Sequence, residues 1–124
     1  METGKRPDKT ADFQRRTFDY ALRIVRLVES LPKCETSSIL GKQLLRSGTS
    51  VGANSRAARR SRSRAEFISK LGIVEEEADE CIFWIELLAA SGKISTKKVE
   101  SLLKETDEIL AIAVSSIKTA RQNK

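Results

Sequence analysis

Histidine is absent from this 124-residue chain, and the absence excludes a wide range of chemistry. Without imidazole there is no Ser-His-Asp or Cys-His activation of a nucleophile, and no imidazole metal ligand. The Glu-x-x-His motif by which helical bundles hold di-iron sites is excluded as well. Cysteine is scarce: Cys34 and Cys81 lie far apart and in no C-x-x-C arrangement. They read as two free thiols in a reducing compartment rather than a disulfide. Proline occurs twice, at Pro7 and Pro32, so everything after Pro32 is free of that helix breaker. No apolar run approaches the ~18 residues that would cross a bilayer. The first ten residues, METGKRPDKT, hold no hydrophobic stretch of the signal-peptide kind. The expectation is a cytoplasmic protein that is no enzyme, with no catalytic residue, no metal site and no cofactor.

Positive charge is plentiful. Lysine and arginine outnumber aspartate and glutamate by 23 to 17, for a net charge of +6 and a pI near 9.6, which favours polyanionic partners. A chain of this length is one domain and buries roughly two-thirds of its unfolded surface without staples.

Ser63 to Gly92 is the longest segment of apolar period. Ser63-Arg64-Ala65-Glu66 is an S-x-x-E capping box, in which each side chain satisfies an otherwise orphan backbone N–H. Phe67, Leu71, Val74, Ala78, Cys81, Ile85 and Leu88 then recur at the three- and four-residue steps of one helix face. Gly92 is placed for a left-handed C-terminal cap. Upstream, Thr10 or Asp12 is expected to cap a first helix. Its apolar face joins a row through Phe13, Thr17, Tyr20, Ile24 and Leu27 to a neighbouring row of Phe18, Ala21, Val25 and Val28. Pro32 ends it. Ser37 or Ser38 is expected to cap a second helix running to about Arg60. Its interior Gly48 and Gly52 each cost about 1 kcal/mol against alanine, but Leu44, Gly48, Val51, Ser55 and Ala58 form one stripe of small residues that lets a neighbouring helix approach. Ser95 or Thr96 caps a fourth helix lined by Val99, Leu102, Ile109, Ala113 and Ile117. No strand alternation appears. The expected fold is all-α: an antiparallel up-down-up-down four-helix bundle over residues 10–120, with a flexible arm at 1–9 and a short basic tail at 121–124.

The block GTSVGANSRAARRSRSRAEFISKLGIVEEEADECIFWIELLAASG resembles the bacterial four-helix-bundle family named for proteins encoded in intervening sequences of 23S ribosomal RNA genes. Ser50, Val51 and Asn54, Ser63 with Glu66-Phe67, and Glu80 with Trp84 to Leu88 carry the resemblance, which spans roughly residues 12–118. Many relatives have a proline where this chain has Gly52, and a Glu-Gly pair where it has Ala57-Ala58. These departures match a subtype with an arginine-rich second helix. The resemblance implies an antiparallel bundle assembled as a ring-like homo-oligomer, a pentamer. It implies no known catalytic activity, and a nucleic-acid-binding role, with RNA the partner expected.

Two clusters bear on partners. Arg56, Arg59, Arg60, Arg62 and Arg64 are five arginines within nine residues, with Arg46 and Lys42 as outliers. If the helix continued through them, Arg56, Arg60 and Arg64 would stack along ~12 Å of one face. Guanidinium forks suit phosphates, and no aromatic is interleaved for base stacking. The same arginines can instead pair with Glu75, Glu76, Glu77, Asp79 and Glu80 on the next helix, within or between subunits. Phe83, Trp84, Glu80 and Asn54 are the candidates for an oligomer interface, since aromatics are enriched at interface cores.

Overall fold

A computed structural model of the chain describes residues 8–123, and these form four helices joined by short turns. They are α1 (Lys9–Glu29), α2 (Glu35–Arg59), α3 (Arg64–Ala90) and α4 (Thr96–Gln122). Of the arm expected over residues 1–9, residues 1–7 lie outside the described residues. Among the described residues no helix is long and apolar enough to cross a membrane.

Helix starts are set by what can reach the orphan N–H groups, and two lie earlier than expected. Asp8 caps α1, its carboxylate accepting from the N–H groups of Thr10 and Ala11 at 3.1 Å. Thr10, one of the expected caps, instead donates its hydroxyl to that carboxylate at 2.7 Å, and Asp12 falls in the first turn. Cys34 caps α2 in place of Ser37 or Ser38: its backbone is extended and its sulfur accepts from the Ser37 N–H at 3.5 Å. Ser37 is thereby buried in the first turn. Ser63 and Ser95 cap α3 and α4 as expected. The capping box closes one residue further out, because Glu66 accepts from the Arg62 N–H at 2.9 Å rather than from Ser63. At the far end of α3, Gly92 is left-handed, with φ +77°. There the N–H of Lys93 reaches the Leu88 carbonyl and that of Gly92 the Ala89 carbonyl, the paired bonds of a Schellman cap.

Cross-helix pairs give the register. Residues early in α1 meet late α2, since Arg59 reaches Asp8 and Gln14 while Ile24 faces Gly48. Ser47 and Cys81 join α2 to α3, and Tyr20 meets Thr106 between α1 and α4. The α1–α2 pairs fall in register, so those two helices run antiparallel, and the short turns 60–63 and 91–95 between packed helices reverse the chain in the same way for α2–α3 and α3–α4. Tyr20, Ile24, Leu44, Val51, Val74, Ile85, Leu88 and Ile109 form the fully buried centre.

The small-residue stripe of α2 does what its composition implied. A Cβ on Gly48 would lie 2.6 Å from the Cγ2 of Ile24, and one on Gly52 would lie 3.3 Å from the Thr17 carbonyl oxygen. Glycine thus sets how closely α1 and α2 approach. The α1–α4 seam is different: the two backbones come close over only a short stretch, and long side chains bridge the rest. Arg16 grips Glu105 through two bonds of 2.7 Å and reaches Glu108 at 2.6 Å. The second apolar row of α1 corrects the expectation of one broad buried face. Phe18 is 65% exposed and its neighbour Leu22 39%, because no third helix covers the outer side of the α1–α2 seam.

Candidate nucleic-acid interface

The arginine cluster occupies the α2–α3 turn, not one continuous helix. Arg56 and Arg59 close the last turn of α2, Arg60 is its C-cap, Arg62 lies in the connection and Arg64 opens α3. The stacking of Arg56, Arg60 and Arg64 at helical steps is therefore overturned. Ser61 donates its hydroxyl to the Ala58 carbonyl at 2.6 Å, which helps end α2, and Ser63 then starts a new helix. The arginines fan around a bundle end instead of lining one helix face. All five are exposed.

Antiparallel topology brings the start of α1 and the end of α4 to this same end. Arg59 bonds Asp8 and Gln14, both at 3.2 Å. The Asp8 carboxyl is held down at about 2, first by the Thr10 hydroxyl, then by the Ala11 N–H, with Arg59 adding to them. Among the described residues, Arg56, Arg60, Arg62 and Arg64 make no ion pair.

The acidic run of α3 takes a different partner. Arg46 donates to Glu77 at 3.1 Å and also to Glu80. Register explains this choice. With the turn centred between Ser61 and Arg62, position 46 lies opposite 77, whereas Arg56 lies opposite Phe67. Glu75 is then ~12 Å further along α3 than the level of Arg56. Lys42, the other outlier, is exposed on α2.

The expected interface residues divide. Phe83 is 56% exposed on the outer side of α3. Trp84 is half-buried, its ring 4.9 Å from that of Phe83 at 75°, and its Nε1 donates to Glu80 at 3.0 Å. Glu80 thus joins Trp84 to Arg46 within the subunit. Among the described residues Asn54 bonds only its own helix, donating to the Ser50 carbonyl at 3.0 Å and hydroxyl at 2.9 Å.

Chemically, this end of the bundle is suited to holding anions. Guanidinium groups stay protonated in proteins and donate several N–H bonds in a fixed fork, so the turn can grip phosphate but cannot shuttle protons. Elsewhere two pairs of buried polar groups are matched to one another, while among the described residues the buried Ser55 hydroxyl has no hydrogen-bond partner. Tyr20 bonds Thr106 at 2.7 Å and Cys81 bonds Ser47 at 3.3 Å; burial pushes both the phenol and the Cys81 thiol up, away from ionisation. The sequence reading missed the Tyr20–Thr106 bond and the Arg16 clamp. Both join the first helix to the last, a pairing that no local pattern marks.

A family model described as 23S rRNA-intervening sequence protein matches residues 9–115. Among solved structures, the chain is similar to the crystal structure of a protein with unknown function from the S23 ribosomal protein family of Bacteroides thetaiotaomicron VPI-5482. The two are 39% identical, with a TM-score of 0.83, over 90% of this chain and 99% of that one. No curated protein matches. With four capped helices in that arrangement and the match running from the start of α1 into α4, the chain belongs to the 23S rRNA-intervening sequence protein family.

Proposed function

We propose that this protein is a non-enzymatic, cytoplasmic homo-oligomer, a pentamer as the resemblance implies, whose α2–α3 turns hold RNA by its phosphates. The observation that carries the reading is the exposure of Arg56, Arg59, Arg60, Arg62 and Arg64 on one turn. Of these five, only Arg59 pairs with a carboxylate among the described residues. Repetition supports it: several weak turns on one assembly bind a polymer far more tightly than one turn does, through effective concentration. With no aromatic in the cluster, the contacts are to backbone and carry little sequence preference.

The test is RNA binding followed by fluorescence anisotropy across a salt series. Affinity should fall steeply with salt, with a log–log slope of about −0.7 per phosphate neutralised on a single strand. Replacing the five arginines by alanine should weaken binding more than about tenfold and flatten the slope by about 0.7 for each phosphate no longer neutralised. Salt-independent binding, or binding unchanged in that variant, would end the proposal. A structural or protein-interaction module is the second reading, in which the arginines serve intersubunit salt bridges. The apolar residues left exposed on α1 and α3 favour it. In that case the five-alanine variant loses the oligomer on light scattering, and RNA binding is absent throughout.

A further inference from the structure

Two unpartnered apolar features stand on different sides of the bundle. The first is a groove of about 510 Å³ along the α1–α2 seam, floored by Phe18, Ala21, Leu22 and Val25 of α1 with Gly52 and Ala53 of α2. It is open on the α2 side because those residues are small. Its rim is cationic. Arg56 lines it directly, and Arg15 and Arg26 stand exposed one turn beyond Phe18 and Leu22, with Asp19 between them and Glu29 one turn beyond Val25 as the acids. The second feature protrudes. Phe83, with Leu87 one turn on, forms an exposed apolar ridge on α3, and the edge-to-face packing of Trp84 braces the Phe83 ring. Its surroundings are anionic, since Glu76, Asp79 and Glu86 are exposed on the same side of α3.

We propose that the ridge of one copy inserts into the α1–α2 groove of the next, making a head-to-tail interface between unlike faces of the same chain. This rests on the homo-oligomer reading and adds which surfaces meet. An exposed aromatic beside an aliphatic residue, rimmed by charge, has the composition of an interface core. The occupant is a second copy because the complement of each face is present on this chain itself. Small residues open a groove where a ring protrudes elsewhere, and arginines surround one where carboxylates surround the other. Neither face suits its own kind: two grooves would oppose arginines and two ridges would oppose carboxylates. The groove belongs to α1 and α2 and the ridge to α3, so one subunit can engage a neighbour on each side. Such a heterologous series closes into a ring when the rotation allows. Of the five turn arginines only Arg56 lines this groove, so Arg59, Arg60, Arg62 and Arg64 stay available to phosphate whichever way Arg56 is engaged.

The experiment breaks one face at a time and then mixes the products. Phe18→Asp spoils the groove and leaves the ridge intact; Phe83→Asp does the reverse. Both side chains are largely exposed, so each variant should keep the wild-type helical circular dichroism and melt. Sedimentation equilibrium on the full chain is expected to show an oligomeric wild type and monomeric single variants. An equimolar mixture should give a 1:1 heterodimer, because one good groove and one good ridge remain and nothing can extend the pair. If either variant retains the wild-type mass, or if the mixture stays monomeric, the pairing is overturned while the homo-oligomer stands. A monomeric wild type would overturn both. RNA affinity is measured separately, so loss of the phosphate reading leaves this result untouched.

Discussion

Cys34 and Cys81 have opposite surroundings, and thiol chemistry can read the difference. Cys34 is exposed at the start of α2. Hydrogen bonding with the Ser37 hydroxyl, and then from the Ser37 N–H, draws its thiol down, while burial pushes that of Cys81 up. Since the thiolate is the reactive form, a chromogenic disulfide should modify one thiol per native chain, at Cys34, and reach Cys81 only on unfolding. Equal reactivity of the two in the native protein would contradict the cap geometry. Carboxylates at the same scale set the acid limit of stability. Asp8 is held at about 2 by the Thr10 hydroxyl and Ala11 N–H, and Glu105 is lowered first by the Arg16 hydrogen bonds. Each is more acidic folded than unfolded. Their stabilisation is therefore fully present above the ordinary carboxylate range and is lost as pH falls through the folded values. Thermal melts should show stability declining from near pH 4.5 toward pH 2, and Glu105→Gln should blunt that decline. A pH profile identical in the variant would remove Glu105 from the account.

Between helices, the close approach of α1 and α2 makes glycine position measurable. Gly48→Ala drives a methyl into Ile24, and overpacking should cost about 1–3 kcal/mol, partly offset by about 1 kcal/mol of helix propensity. A methyl at Gly72 on α3 would meet nothing within 4 Å, so Gly72→Ala should stabilise by about 0.5–1 kcal/mol. Opposite shifts in melting temperature are expected; shifts of the same sign would mean that the helices do not touch at Gly48. That close approach was readable from the run of small residues in α2. So were the four apolar stripes, Ser63, Ser95 and Gly92, because helical period and cap chemistry are local. Other features were not. Asp8, Thr10 and Asp12 are three competent caps within five residues, and sequence alone does not rank them. Cysteine is an uncommon cap, so Cys34 gave no signal. Phe18 shows why periodicity over-reads burial: an apolar row looks the same whether its own bundle or another molecule covers it. The pairing of Arg46 with Glu77 needed only a count outward from the turn, but the turn had first to be placed.

Across the whole bundle, the helices are not equally held. α2 and α3 pack closely along their neighbours, while α1 and α4 meet chiefly through the Arg16 clamp and the Tyr20–Thr106 bond. Arg16→Ala should cost about 1 kcal/mol and raise amide exchange in α1 and α4 before it does so in α3. Uniform loss of protection would show that the seam carries no special role. Topology adds a directional consequence. The α2–α3 turn, the first residues of α1 and the last of α4 all sit at one pole of the molecule. Copies joined head to tail about a single axis would all keep the same orientation, so their arginines would crowd onto one lip of the ring and leave the opposite lip to the other two turns. A nucleic acid would then be laid around that cationic lip, and the particle would present it from one side only.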